Sequence, residues 1–220
     1  SIQAAVNALE EGELWVAAGI YSGTADNVVR MRKYVSIYGG FAGNESTRES
    51  RNSELHVATI GGGSARRCVC GASWAALDGF LIRNGKADTL GGGGMLNQYC
   101  YSVNVANCTF VDNTAADGGG VYNDYSLAAT FKDCSFAGNT TKGWGGGMGN
   151  DNDSSPTVID CSFSNNTAGG GGGMDNARGS VPTIAHCSFS NNAAYFAGGM
   201  GISGSPAATV TGCSFSNNTA

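Results

Sequence analysis

The sequence predicts an all-β chain folded as a right-handed parallel β-helix, with three short strands in each coil of about 26 residues. Three observations carry this reading. Five segments open alike, Cys108-Thr-Phe, Cys134-Ser-Phe, Cys161-Ser-Phe, Cys187-Ser-Phe and Cys213-Ser-Phe, at spacings of 26, 27, 26 and 26 residues. A period that strict marks stacked copies of one small unit. Within each copy Cys-x-Phe alternates with period two, as in a strand with both side chains on its inner face. Between copies stand glycine triplets, and glycine costs about 1 kcal/mol per residue inside a helix, which excludes helical repeats. With 36 glycines but only 3 prolines in 220 residues, and 41% hydrophobic residues, the chain is neither collagen-like nor disordered.

Taken in order, residues 1–220 read as a single β-helix domain: a capping helix over 1–12, irregular coils over 13–100 and regular coils over 101–220. Ser1 to Glu11 is amphipathic, with Ile2, Ala5, Val6 and Leu9 on one face and Ser1 placed to cap the helix. A helix there covers the exposed edge of the first coil. Next come three strand-like runs, each followed by glycine: Leu14 to Tyr21, Val35 to Phe41 and Val57 to Ile60. The segment Leu77 to Asn84 aligns with the Cys unit if Gly79 takes the Cys place, Leu81 the Phe place and Asn84 the Asn place. Gly91 to Met95 supplies its glycine strand.

The regular coils repeat four inward features. Three positions before each Cys stands an apolar residue: Val105, Phe131, Val158, Ile184 and Val210. It is out of phase with Cys, so a bend separates two strands. The Phe110, Phe136, Phe163, Phe189 and Phe215 column forms an aromatic ladder. Asn113, Asn139, Asn166, Asn192 and Asn218 follow five positions after Cys. A second amide column, Asn97, Asn123, Asn150 and Asn176, follows the Gly-Gly-Gly-Val/Met strand and ends at Ile202. Stacked amides bond to corner backbone and to each other. A strand returning parallel to itself turns right-handed almost always.

Composition narrows the function. Residues 101–220 carry eight Asp against only Lys132, Lys142 and Arg178, a balance that argues against nucleic-acid binding. No run of about 18 apolar residues exists, so this segment contains no membrane-spanning helix. The chain begins without Met and stops in mid-repeat, which reads as a piece of a longer one.

The Gly-Gly-Gly-Met and Phe163-Ser-Asn-Asn166 pair resembles the GGA[ILV] and FxxN motifs of chlamydial polymorphic outer-membrane proteins. The opening Ser1-Ile-Gln-Ala-Ala-Val, the Leu14 to Tyr21 run, Tyr38-Gly-Gly-Phe41 and Leu77-Asp-Gly-Phe80 resemble a wider set of secreted bacterial β-helix proteins. The resemblance implies an exported chain displayed at a bacterial cell surface.

Candidate chemistry is sparse. The column Cys108, Cys134, Cys161, Cys187 and Cys213 reads as small buried thiols filling the core. A metal stack needs thiolates converging from different directions, and parallel side chains suit a disulfide poorly. Cys70 and Cys100 lie outside that column, at roughly corresponding places in successive coils, and form the candidate disulfide in an oxidising compartment. Asp133, Asp160 and His186 each precede their Cys and stack on one outer corner. Paired carboxylates on a β-helix face are what polysaccharide-degrading members use, so these three are the catalytic candidates, weighed against a solvated corner also filled by Asn107 and Gly212. Asp151 and Asp153 are the candidate Ca²⁺ ligands, against an exposed turn. No other cofactor is expected.

The leading expectation is a non-enzymatic extracellular structural or adhesive segment of a surface protein or filament. Its partners are other copies of itself or adjacent domains, met through an open C-terminal coil, and glycans or other cell-surface molecules. The alternatives are a polysaccharide lyase or glycoside hydrolase, which needs two or three Asp and one Arg or Lys converging in a groove. A glycan-binding module needs exposed aromatics such as Trp144, Tyr122, Tyr125 or Tyr195 along one face.

Overall fold

A computed structural model of the chain describes residues 1–204 and 208–220. It is a parallel β-solenoid of about eight coils behind one short helix. That helix spans Ile2–Ala8; the Ser1 hydroxyl accepts the Ala4 N–H at 3.2 Å, and Ile2 and Val6 are buried against the first coil.

Strands of successive coils pair in parallel to form four sheets. The first holds eight strands, from Gly12–Ala17 to Thr209–Thr211, and carries the Val105 column. The second also holds eight, from Gly19–Tyr21 to Ser214–Ser216, and carries the Cys-x-Phe units. A third, of seven strands from Asn27–Arg30 to Met200–Ser203, carries the Met and Asn97 columns. The fourth, of five strands from Lys86–Ala87 to Ala193–Phe196, goes beyond the expected three strands per coil. Its strands are short, such as Thr114–Ala115 and Thr140–Thr141, with Ala115 and Thr141 buried and Thr114 and Thr140 exposed. So brief an alternation falls below what period two can signal in a sequence.

Corners between sheets demand left-handed backbone. The bend before each Cys falls on Asn107, Asp133, Asp160 and His186, with φ of 50°, 52°, 54° and 53°, and on Gly212 at 63°. Asn, Asp and Gly tolerate this region far better than other residues, so the polar column has a conformational cause. At the glycine triplets the cause is crowding. A Cβ on Gly147 would stand 2.5 Å from the Gly173 carbonyl oxygen and 2.8 Å from the Phe163 ring.

The inner face follows the expected columns. Phe110, Phe136, Phe163 and Phe189 are fully buried, and their rings stack on one another and on Phe215 at centroid distances of 5.0, 4.5, 4.7 and 4.8 Å. Asn113, Asn139, Asn166 and Asn192 are likewise buried. The Asn166 amide donates to the Phe136 carbonyl and to Asn192 Oδ1, both at 2.9 Å, while its Oδ1 accepts the backbone N–H and the amide of Asn139. In the second amide column Asn97, Asn123, Asn150 and Asn176 are joined by bonds of 2.9, 2.7 and 2.8 Å. Because Ile202 ends that column, Asn176 donates instead to the Gly201 carbonyl.

One alignment is corrected. Phe110 is in register with Ile82, not Leu81, and Phe80 takes the Cys place while Gly79 forms the corner at φ 80°. Gly85, not Asn84, lies at the Asn level, and its N–H donates to Asn113 Oδ1 at 2.8 Å. The register that buries Phe80 and Ile82 wins, because a one-residue slip would send both outward.

Phe163→Ala removes a ring sandwiched between two others and is expected to destabilise the fold by about 3–5 kcal/mol. Phe215→Ala, in the half-exposed last rung, should cost clearly less; denaturant unfolding of the two variants reads the difference.

Candidate functional site

The site lies on the outer face of the third sheet, at the residue between Met and Asn in each Gly-Gly-Gly-Met-x-Asn unit. In register this column reads Leu96, Tyr122, Gly149, Asp175 and Gly201. Side chains alternate with bare backbone, so Gly149 and Gly201 leave notches beside Tyr122 and Asp175. A Cβ on Gly201 would collide with Asp175 Oδ1, and one on Gly149 would press the Tyr122 ring at 3.1 Å. The result is a cleft of about 360 Å³ lined chiefly by Asp117, Tyr122, Trp144, Asp151, Asp175 and Arg178. That volume is within the usual range for small-ligand sites.

Trp144 reaches the rim because its coil is one residue longer. Thr140 stands five residues ahead of the corner glycine Gly145, whereas Thr114 and Thr167 stand four ahead of Gly118 and Gly171. This extra residue is the origin of the single 27-residue spacing. The Trp144 ring lies over Gly170, where any side chain would strike it, and remains half exposed. Its backbone N–H donates to Asp117 Oδ1 at 2.9 Å.

The carboxylates differ in their surroundings. Asp151 is nearly buried and well supplied: the Tyr122 hydroxyl donates to its Oδ2 at 2.9 Å, Arg178 Nη1 lies 3.2 Å from the same oxygen, and the Asn152 N–H donates to Oδ1. Asp175 is only 4% exposed, and no hydrogen-bond or ion-pair partner reaches it among the described residues. Burial, with Asp151 and Asp117 adding repulsion, raises its carboxyl to about 6. Burial, together with Asp151, also pushes the Tyr122 phenol up, so it stays a donor.

The sequence candidates are distributed differently. Asp133 and Asp160 line a separate groove with Glu54 and Asn107, exposed on the bend before Cys. His186 Nδ1 lies 3.6 Å from Asp160 Oδ1, and Lys132 Nζ 3.8 Å from Asp133. Asp151 belongs to the cleft, but Asp153 is an exposed turn residue at φ 60°, so the two do not share a site. Among the described residues no three His, Cys, Asp or Glu side chains are grouped to hold a metal.

Cys108, Cys134, Cys161 and Cys187 are buried, Cys213 is partly so, and all five are free thiols near backbone carbonyls. Burial pushes the Cys108 thiol up to about 12. Cys70 is in register with Leu96 rather than with Cys100, and both sulfurs are free. Of the aromatic candidates, Tyr122 and Trp144 share the cleft. Tyr125 stacks on Tyr99 at 5.2 Å on another corner, and Tyr195 stands edge-on to Phe196.

Sequence reasoning missed Asp117, Asp175 and Arg178. The signal was the variable residue inside an otherwise constant unit. A family model described as a right-handed β-helix region matches residues 68–220 and gives the solenoid its hand, while no curated protein and no solved structure matches the chain.

Asp175 binds its proton more tightly when folded than at the ordinary value of 3.8. Stability should therefore fall as pH rises from about 4 to about 6 and level off above. Asp175→Asn removes that component. Thermal midpoints of the two proteins should diverge across this window, the variant becoming the more stable at higher pH.

Proposed function

The chain belongs to the right-handed β-helix family, and on that footing we propose that it is an extracellular, adhesive β-solenoid segment that binds glycans in the cleft beneath Trp144. The fold by itself hosts enzymes and non-enzymes alike, so the cleft decides the reading. The observation that carries it is the half-exposed Trp144 indole beside buried hydrogen-bonding groups, an apolar ring next to a few fixed polar atoms. Sugar rings offer C–H faces for the indole and hydroxyls for the carboxylates. Rigid stacking of coils holds those groups in place without an induced closure. The Ser-, Thr-, Asn- and Gly-rich surface is consistent with an extracellular or cell-surface setting. The exposed apolar face at Ile202, Val210 and Phe215 is where further coils, an adjoining domain or a second copy would stack.

A second reading, glycoside hydrolysis, is favoured by one observation. Asp175 holds its proton up to about 6 beside Asp151, which is ion-paired with Arg178. Such a pair divides the roles of general acid and base.

Titration of a panel of neutral, acidic and cationic oligosaccharides tests both readings. At least one class should bind, and Trp144→Ala should weaken it several-fold or more while leaving unfolding almost unchanged, since the half-exposed indole supplies the apolar face of the cleft. Unaltered affinity in the variant, or no binding across the panel, contradicts the reading. Release of new reducing ends from the bound oligosaccharide, abolished by Asp151→Asn, would move the function from binding to hydrolysis.

A further inference from the structure

We infer that the sugar held in the cleft carries a primary amine, and that its ammonium group sits on Asp175. This deepens the glycan-binding reading and rests on it. Three carboxylates line the cleft against one guanidinium, and that guanidinium is already engaged with Asp151. Asp117 has one oxygen occupied by the Trp144 N–H. Asp175 has neither oxygen occupied among the described residues, although it is 4% exposed and faces the cleft. A largely buried carboxylate without a protein partner is costly to ionise, and Asp175 is left open to a donor that a bound ligand brings.

The chemistry of the partner follows from what the cleft offers. Asp175 and the free oxygen of Asp117 are acceptors, and an ammonium is three donors with no acceptor. A uronic acid would bring a fourth carboxylate against three. A neutral sugar hydroxyl can donate one hydrogen bond but leaves the charge of Asp175 uncompensated. A divalent cation needs several ligands converging on one point, and no such group of three exists among the described residues. Trp144 adds an aromatic face that favours a cation beside it. At long range the eight Asp and three basic residues of positions 101–220 draw cations toward this part of the solenoid.

The test compares four probes on the full chain by calorimetry, slightly above the Asp175 value of about 6. They are a glucosamine tetrasaccharide, its fully N-acetylated counterpart, a tetragalacturonate and tetralysine. The glucosamine oligomer should bind about tenfold or more tighter than the acetylated one, and the galacturonate should not bind. Asp175→Asn should bring the glucosamine oligomer down to the affinity that the acetylated one shows on the same variant. Asp117→Asn should give a smaller loss in the same direction, and provides a second variant should the first fold poorly. Equal or tighter binding of the acetylated oligomer, or a preference that survives Asp175→Asn, overturns the amine assignment while the glycan reading stands. Tetralysine binding as tightly, with the same dependence on Asp175, overturns the sugar as the source of the amine. No binding by any of the three oligosaccharides fails the glycan reading and the inference with it.

Discussion

Each regular coil is tied to the next through an amide on the inner face of the solenoid. In the column from Asn113 to Asn218 each amide nitrogen donates back to a carbonyl of the preceding coil, each but that of Asn218 also donates forward to the next asparagine, and each Oδ1 beyond the first accepts two N–H groups. From Asn113 to Asn192 this lies beneath the Phe stack, away from water. A slip of one residue would strand donors and acceptors at every rung, at about 1–3 kcal/mol for each unpaired group. It would also turn Cys and Phe toward solvent. The asparagines therefore set the register, and the Phe ladder supplies most of the burial that the register permits.

Fixed register has a consequence on the opposite side of the wall. Outward residues of neighbouring coils become neighbours whether or not they resemble each other, so a varied column becomes a shaped surface. Tyr122, Gly149, Asp175 and Gly201 are such a column, and the alternation of side chain with glycine cuts the cleft. The extra residue between Thr140 and Gly145 then lifts Trp144 to its edge without disturbing the columns on either side. Gly170 gives the indole a flat place to lie. Asp175 is left largely buried by its neighbours, with no partner among the described residues.

Legibility in the sequence divided along the same wall. Inward features repeat because each coil meets the same core, so Cys-x-Phe, both asparagine columns and the Gly-Gly-Gly-Met strand could be read by period alone. The fourth sheet escaped because two residues such as Thr114 and Ala115 give one alternation. Leu81 was placed by matching Asn84 to the asparagine motif, while burial of Phe80 and Ile82 chose the other register. Asp133, Asp160 and His186 were legible as a column, yet the column answers to a left-handed corner. The cleft was hidden because it is made at a position where copies differ, and a search for what recurs passes over it. Its two traces were the variable residue after Met and the single spacing of 27 instead of 26.

The claim on which the account turns is that the coil register leaves Asp175 buried, facing its fellow carboxylates, with no donor of its own. Titration of the side-chain carboxyl carbons by NMR in the ligand-free protein reads this directly. The account predicts that Asp175 titrates at about 6. A midpoint near the ordinary 3.8 would mean that the carboxylate is solvated or paired, and would contradict its burial and the role assigned to it.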